Sequence, residues 1–134
     1  MNMNDSLLVT DQDYERLVLL LQNTNSPLAA ALEEELGRAT IVAQKEIPPD
    51  IVTMNSTVAF KALETDKESE ITLVYPKDAD VTKACISVLA PVGVALLGLR
   101  IGQEIEWPMP NGERRHLKVT GIKFQPEAAG DWEL

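Results

Sequence analysis

The sequence predicts an α+β protein: a short antiparallel helical hairpin followed by a small, mostly antiparallel β sheet with one short helix. Three observations predict it. Apolar residues recur every three to four positions up to about Gln44, and at every second position in stretches beyond Pro48-Pro49. Asn111-Gly112, the residue pair of a type I′ turn, stands between two alternating stretches. The chain has 134 residues, 45% of them apolar and 25% charged, the balance of one globular unit with a real core. We place the hairpin in residues 1–47 and the β domain in residues 48–134.

Thr10, with Asp13 three residues on, reads as a helix start of capping-box type, Asp replacing the usual Glu. Tyr14, Leu17, Val18 and Leu21 then mark one buried helical face. Asn23–Pro27 ends this helix. Ser26 can cap the next, with Pro27 in the first turn, where its missing N–H costs little. Leu28, Leu32, Leu36, Ala39 and Ala43 extend a second stripe to about Gln44, a helix of roughly 18 residues or 27 Å, before Pro48-Pro49 stop it.

Beyond the prolines, Val58 and Phe60 alternate with polar neighbours, as do Ile71, Leu73 and Tyr75, predicting two half-buried strands. Residues 64–70, ETDKESE, form a charged turn between them. Cys85–Leu89 reads as a central strand, and Pro91 opens a short helix that Gly98 closes. Ile105 and Trp107 begin the hairpin that turns at Asn111-Gly112. On the returning strand, Leu117 and Val119 are out of phase with Ile122 and Phe124. Gly121 sits at the shift, which predicts a bulge there.

The composition excludes several functions. A net charge of −9 lacks the clustered Lys and Arg that counterion release requires, so no direct nucleic-acid binding is expected. Aromatics make up only 4%, too few for a base-stacking platform. Nothing approaches a transmembrane span, and the Leu7–Val9 run is too short for a secretory signal. A single cysteine, Cys85, rules out an internal disulfide. A cytoplasmic, monomeric protein with no membrane association is the expectation.

No catalytic site emerges either. His116 is the sole histidine, on the charged face of a strand, and Cys85 has no basic neighbour to lower its pKa. Asp11 with Asp13, and Asp78 with Asp80, have helix-capping and turn roles and lack the density of a metal loop. Glycines 93, 98 and 102 have neither nucleotide-motif spacing. Arg114-Arg115 is a solvated edge. No cofactor, metal or catalytic residue is expected.

The stretch APVGVALLGLRIGQEIEW (Ala90–Trp107), followed by PMPNGERRHLKVTGIKF, resembles the C-terminal domain of the bacterial transcript-cleavage factors GreA and GreB. Pro91, Gly93, Ala95, Leu96, Leu97 and Gly98 match their loop-helix. Ala90 stands for the usual Ser, Gln103 for an Asp, and Asn111-Gly112 for Gly-Gly. Three further stretches resemble a smaller branch of that family, the regulators of nucleoside diphosphate kinase (Rnk): VTMNS at 52–56, VYP at 74–76 and QPEAAGD at 125–131. The resemblance implies an FKBP-like β domain and a shortened coiled-coil hairpin. It also implies docking on RNA polymerase near its secondary channel, with Ala90, Pro91, Val92, Gly93 and Leu96 as contacts and Met54, Asn55 and Ser56 as weaker candidates. The hairpin tip, Asn23, Thr24, Asn25 and Ser26, offers no carboxylate, so transcript cleavage is not expected and competition with long-hairpin cleavage factors is. Two alternatives stand beside this reading: a prolyl isomerase, from the FKBP-like fold, and a direct binder of nucleoside diphosphate kinase, from the branch name.

Overall fold

The structure, a computed structural model, describes residues 7–108 and 114–131. The chain begins with β1 (Leu8–Thr10), turns into α1 (Asp11–Gln22) and returns through α2 (Pro27–Arg38) to β2 (Thr40–Val42). Both expected caps form: the Thr10 hydroxyl accepts the Asp13 N–H at 3.0 Å, and the Ser26 hydroxyl accepts the Ala29 N–H at 3.1 Å. Each helix has 12 residues, about 18 Å of rise.

The second helix is therefore shorter than its sequence stripe. It stops at Arg38, and Ala39 leaves it in an extended conformation. The β-branched run Thr40-Ile41-Val42 then pairs in parallel with Leu8–Thr10. This pairing supplies backbone partners that another helical turn would forgo, and it ties the two feet of the hairpin together. Ala39 and Ala43 consequently flank the strand, at its entry and its exit, rather than continuing a helical stripe.

The main sheet has five strands in the order β5-β4-β3-β7-β6: β3 (Thr57–Ala62), β4 (Lys67–Val74), β5 (Cys85–Ser87), β6 (Glu104–Pro108) and β7 (Arg114–Phe124). All neighbours are antiparallel except β4 and β5. Two sequence readings change here. The charged turn shrinks to four residues, because Lys67–Glu70 already pair with Ala59–Ala62; Asp66 takes the left-handed conformation at φ 61° that the tight turn needs. The apolar run from Cys85 is a three-residue edge strand, not a central one. Its three residues are half-buried, and Val88, which follows them, is wholly enclosed.

The bulge at Gly121 is present: Ala59 faces Gly121 while Phe60 faces Val119, and a second shift follows between Val58 and Thr57. The Asn111-Gly112 turn lies outside the described residues, and the strands it joins run antiparallel with Pro108 opposite Arg114. His116 lies half-exposed between two carboxylates, its Nδ1 2.6 Å from Glu64 and its Nε2 3.3 Å from Glu106, a clasp across strands.

A short helix, α3 (Pro91–Leu96), and a final turn, α4 (Pro126–Ala129), complete the fold. Leu17, Leu32 and Leu36 of the hairpin share one apolar cluster with Val58, Leu73 and Val119 of the sheet and Val94, Leu96 and Leu97 of the α3 region. No helix among the described residues is long and apolar enough to cross a membrane.

Candidate functional site

The Ala90–Gly98 segment is built from the inside out. Ala90 caps α3 in an extended conformation and Pro91 occupies its first turn. Gly93 is there because nothing larger fits: an added Cβ would lie 2.2 Å from the Ser87 carbonyl oxygen. Leu96 is fully enclosed, Val94 and Leu97 nearly so, and Gly98 adopts φ 82° while its N–H donates to the Val52 carbonyl at 2.9 Å. Ala90 and Val92 remain half-exposed.

Of the residues expected at a docking face, four are thus core: Gly93, Leu96, Met54 at 1% exposure and Ser56 at 0%. Their burial withdraws them from direct contact. Ala90 and Val92 stay available, and so does Asn55, which sits in the left-handed region at φ 67°. The hairpin tip also carries local duties. The Asn23 amide donates to the Leu19 carbonyl at 3.2 Å, the Thr24 hydroxyl to the Leu20 carbonyl at 2.9 Å, and Ser26 caps α2. Asn25 is exposed at the end.

The stretches VTMNS, VYP and QPEAAGD, far apart in sequence, converge on one buried polar junction under the hairpin. Asp13, from the first turn of α1, is 3% exposed, and its Oδ2 accepts the Met54 N–H at 3.1 Å. Glu127, from α4, is 8% exposed and accepts the Thr53 hydroxyl at 2.8 Å. Thr53 in turn pairs with the Ser56 hydroxyl at 2.8 Å. Gln125 donates to the carbonyls of Pro48 and Ile51 at 2.9 and 2.8 Å, fastening the C-terminal segment to the start of the β domain.

Burial dominates the electrostatics of this junction. It pushes the Asp13 carboxyl up to about 7; the Met54 N–H opposes the shift, the Glu127 charge adds to it, and Arg16 and the Thr10 cap oppose it. Tyr75 beside it has a buried hydroxyl that faces both Asp13 and Arg16. Burial and then the Asp13 charge push its titration up. Outside the junction, an open groove of about 870 Å³ runs between Arg16, Leu19 and Leu20 of α1 and Asn55, Tyr75 and Lys77.

Sequence reasoning gave Asp13 a capping role and missed its burial, along with the roles of Thr53 and Glu127. The signal for Asp13 was present: it stands four residues before Leu17, one helical turn back on the buried face. Thr53 and Glu127 had none, because their partners are 74 residues apart.

The likeness to known proteins extends over most of the chain. The family described as "Transcription elongation factor, GreA/GreB, C-term" matches residues 44–124, and "Rnk N-terminus" matches residues 5–42. The chain is 44% identical over 132 residues to the regulator of nucleoside diphosphate kinase of Escherichia coli K12, covering 96% of this chain and 97% of that one. Transcription elongation factor GreA of Chloroherpeton thalassium is 40% identical over 96 residues, 72% of this chain and 60% of the relative. A solved structure, a prokaryotic GreA/GreB transcription elongation factor from Nitrosomonas europaea, superposes with a TM-score of 0.75 at 46% identity, over 89% of this chain and 98% of that one. With its N-terminal hairpin, its loop-helix and its β sheet all matched, the chain belongs to the GreA/GreB family, in the branch of the regulators of nucleoside diphosphate kinase.

Proposed function

We propose that this chain is a non-catalytic transcription regulator of the cytoplasm. It acts as a monomer that docks on RNA polymerase near the secondary channel, does not stimulate transcript cleavage, and competes there with long-hairpin cleavage factors. One observation carries the reading: a GreA/GreB-type β domain bears a hairpin of two 12-residue helices with no acid at its tip. Cleavage in the long-hairpin relatives, as the resemblance implies, needs tip carboxylates on the polymerase's active-site magnesium. Such a metal takes hard oxygen ligands and must activate a water for attack. Asn23, Thr24, Asn25 and Ser26 supply neither charge nor such ligands, and the first acid of α2, Glu33, begins about two turns below the tip. At about 18 Å each, the helices also fall well short of the reach of a hairpin with twice the residues. In this reading the hairpin acts as a truncated coiled coil, and the FKBP-like character of the β domain serves docking rather than prolyl isomerisation.

The test uses a purified, backtracked elongation complex. This protein alone should leave the transcript intact, and in saturating excess it should block cleavage by an added cleavage factor. Cleavage by this protein, or no effect on the added factor, overturns the proposal. Within the docking loop, Ala90→Asp keeps a favoured helix cap while placing a charge on the contact face. It should weaken polymerase binding by more than tenfold, about 1.4 kcal/mol, with the fold unchanged. A second reading, direct binding to nucleoside diphosphate kinase, is favoured by the name of the regulators this chain resembles. Immobilised protein offered purified polymerase and purified kinase in parallel separates the two.

A further inference from the structure

We propose that Asp13 and Glu127 form a protonation-controlled latch between the helical hairpin and the β domain, closed when Asp13 is neutral and loosened when it is charged. The geometry is that of a joint. Asp13, on α1, bonds to the 52–56 turn through the Met54 N–H at 3.1 Å. Glu127 approaches the same turn from α4, through the Thr53 hydroxyl at 2.8 Å. Both carboxylates are removed from water, at 3% and 8% exposure, and the Glu127 charge reaches Asp13. Two buried anions flanking one turn repel, and burial penalises the charged form of Asp13.

The charged and titratable groups facing Asp13 from every side are few. Arg16, one turn along α1, offers partial compensation; Glu127 opposes the charge from α4; Tyr75, just past β4, turns a neutral hydroxyl toward both Asp13 and Arg16. Protonated, the Asp13 carboxyl keeps an oxygen to accept the Met54 N–H and loses the charge that faces Glu127. Deprotonated, it holds the same bond at the cost of a second buried anion.

Burial raises the Asp13 carboxyl from 3.8 to about 7. Between those values the folded chain holds a proton that the unfolded chain has released. The contribution of Asp13 to folding is therefore fully present in acid, declines as pH rises over this span, and is gone above neutrality. The loss falls on the attachment of α1, since α1 carries the group. The hairpin thus sits firmly near pH 6 and is held more weakly near pH 8. The latch is a property of the free chain and holds whichever partner the docking face takes.

The experiment follows the Asp13 side-chain carboxyl carbon by NMR across pH, together with amide hydrogen exchange in α1 corrected for intrinsic rates. Asp13 should titrate near neutrality, and α1 opening should increase on the order of tenfold between pH 6 and 8. Asp13→Asn, a neutral isostere that keeps the acceptor, should abolish that increase. Glu127→Gln should move the Asp13 midpoint to lower pH. His116→Gln should leave the transition in place, separating it from the surface His116 clasp. An Asp13 midpoint below about pH 5, α1 opening that is flat from pH 6 to 8, or an undiminished increase in Asp13→Asn overturns the proposal. The first two readouts use the unmodified protein, so a variant that fails to fold does not blunt the test.

Discussion

A Cβ built at Gly93 would meet the Ser87 carbonyl oxygen at 2.2 Å and the Val88 Cα at 2.9 Å, both of them backbone, whereas one at Gly37 meets nothing within 4 Å. The two glycines therefore respond oppositely to the same methyl group. Gly93→Ala forces α3 away from the chain that leads into it and should destabilise by about 1–3 kcal/mol. Gly37→Ala adds a better helix former near the end of α2 and should stabilise by about 0.5–1 kcal/mol. Urea midpoints of the two variants check the contrast; similar shifts of the same sign would contradict it. The family-like glycine of the loop-helix is thus a packing requirement, and charged substitutions there report on folding rather than docking.

At the scale of the element, the hairpin relies on what lies beneath it. Isolated helices of 12 residues are marginal in water. The pair is held by Leu17 at 0%, Leu32 at 1% and Leu36 at 5% exposure, by the β1–β2 pairing at its feet, and by the Asp13 contact. Leu32→Ala should cost about 2–5 kcal/mol. Amides of α1 and α2 should lose exchange protection before those of β3 and β7, which pair at the centre of the sheet. Loss of protection in equal measure across both parts would contradict this order. Sequence periodicity found both helices and placed both caps, because caps and amphipathic faces are local. It overran the end of α2 because Ala39 and Ala43 continue the spacing, while the competing pairing of Thr40–Val42 with Leu8–Thr10 joins residues 32 apart.

Across the whole molecule, the polar junction joins hairpin, sheet and C-terminal segment, and Thr53 is its central donor. Thr53→Val keeps the shape but leaves the buried Glu127 carboxylate without that hydrogen bond. It should destabilise by about 1–3 kcal/mol, while Thr53→Ser should restore most of the loss; equal stability of the valine variant and the parent in chemical denaturation would contradict the assignment. The sequence by itself determined the α+β class, the two caps, the mostly antiparallel sheet with its bulge at Gly121, and the family, since each is written in short stretches whose periodicity or motif is complete within a few residues. The tertiary structure alone decided that Met54, Ser56, Gly93 and Leu96 are core, that Cys85–Ser87 is an edge strand, and that Asp13 is buried against the 52–56 turn and faces the Glu127 charge. Burial depends on which distant segments arrive at a site, and that is settled by the packing of the whole chain rather than by any of its parts.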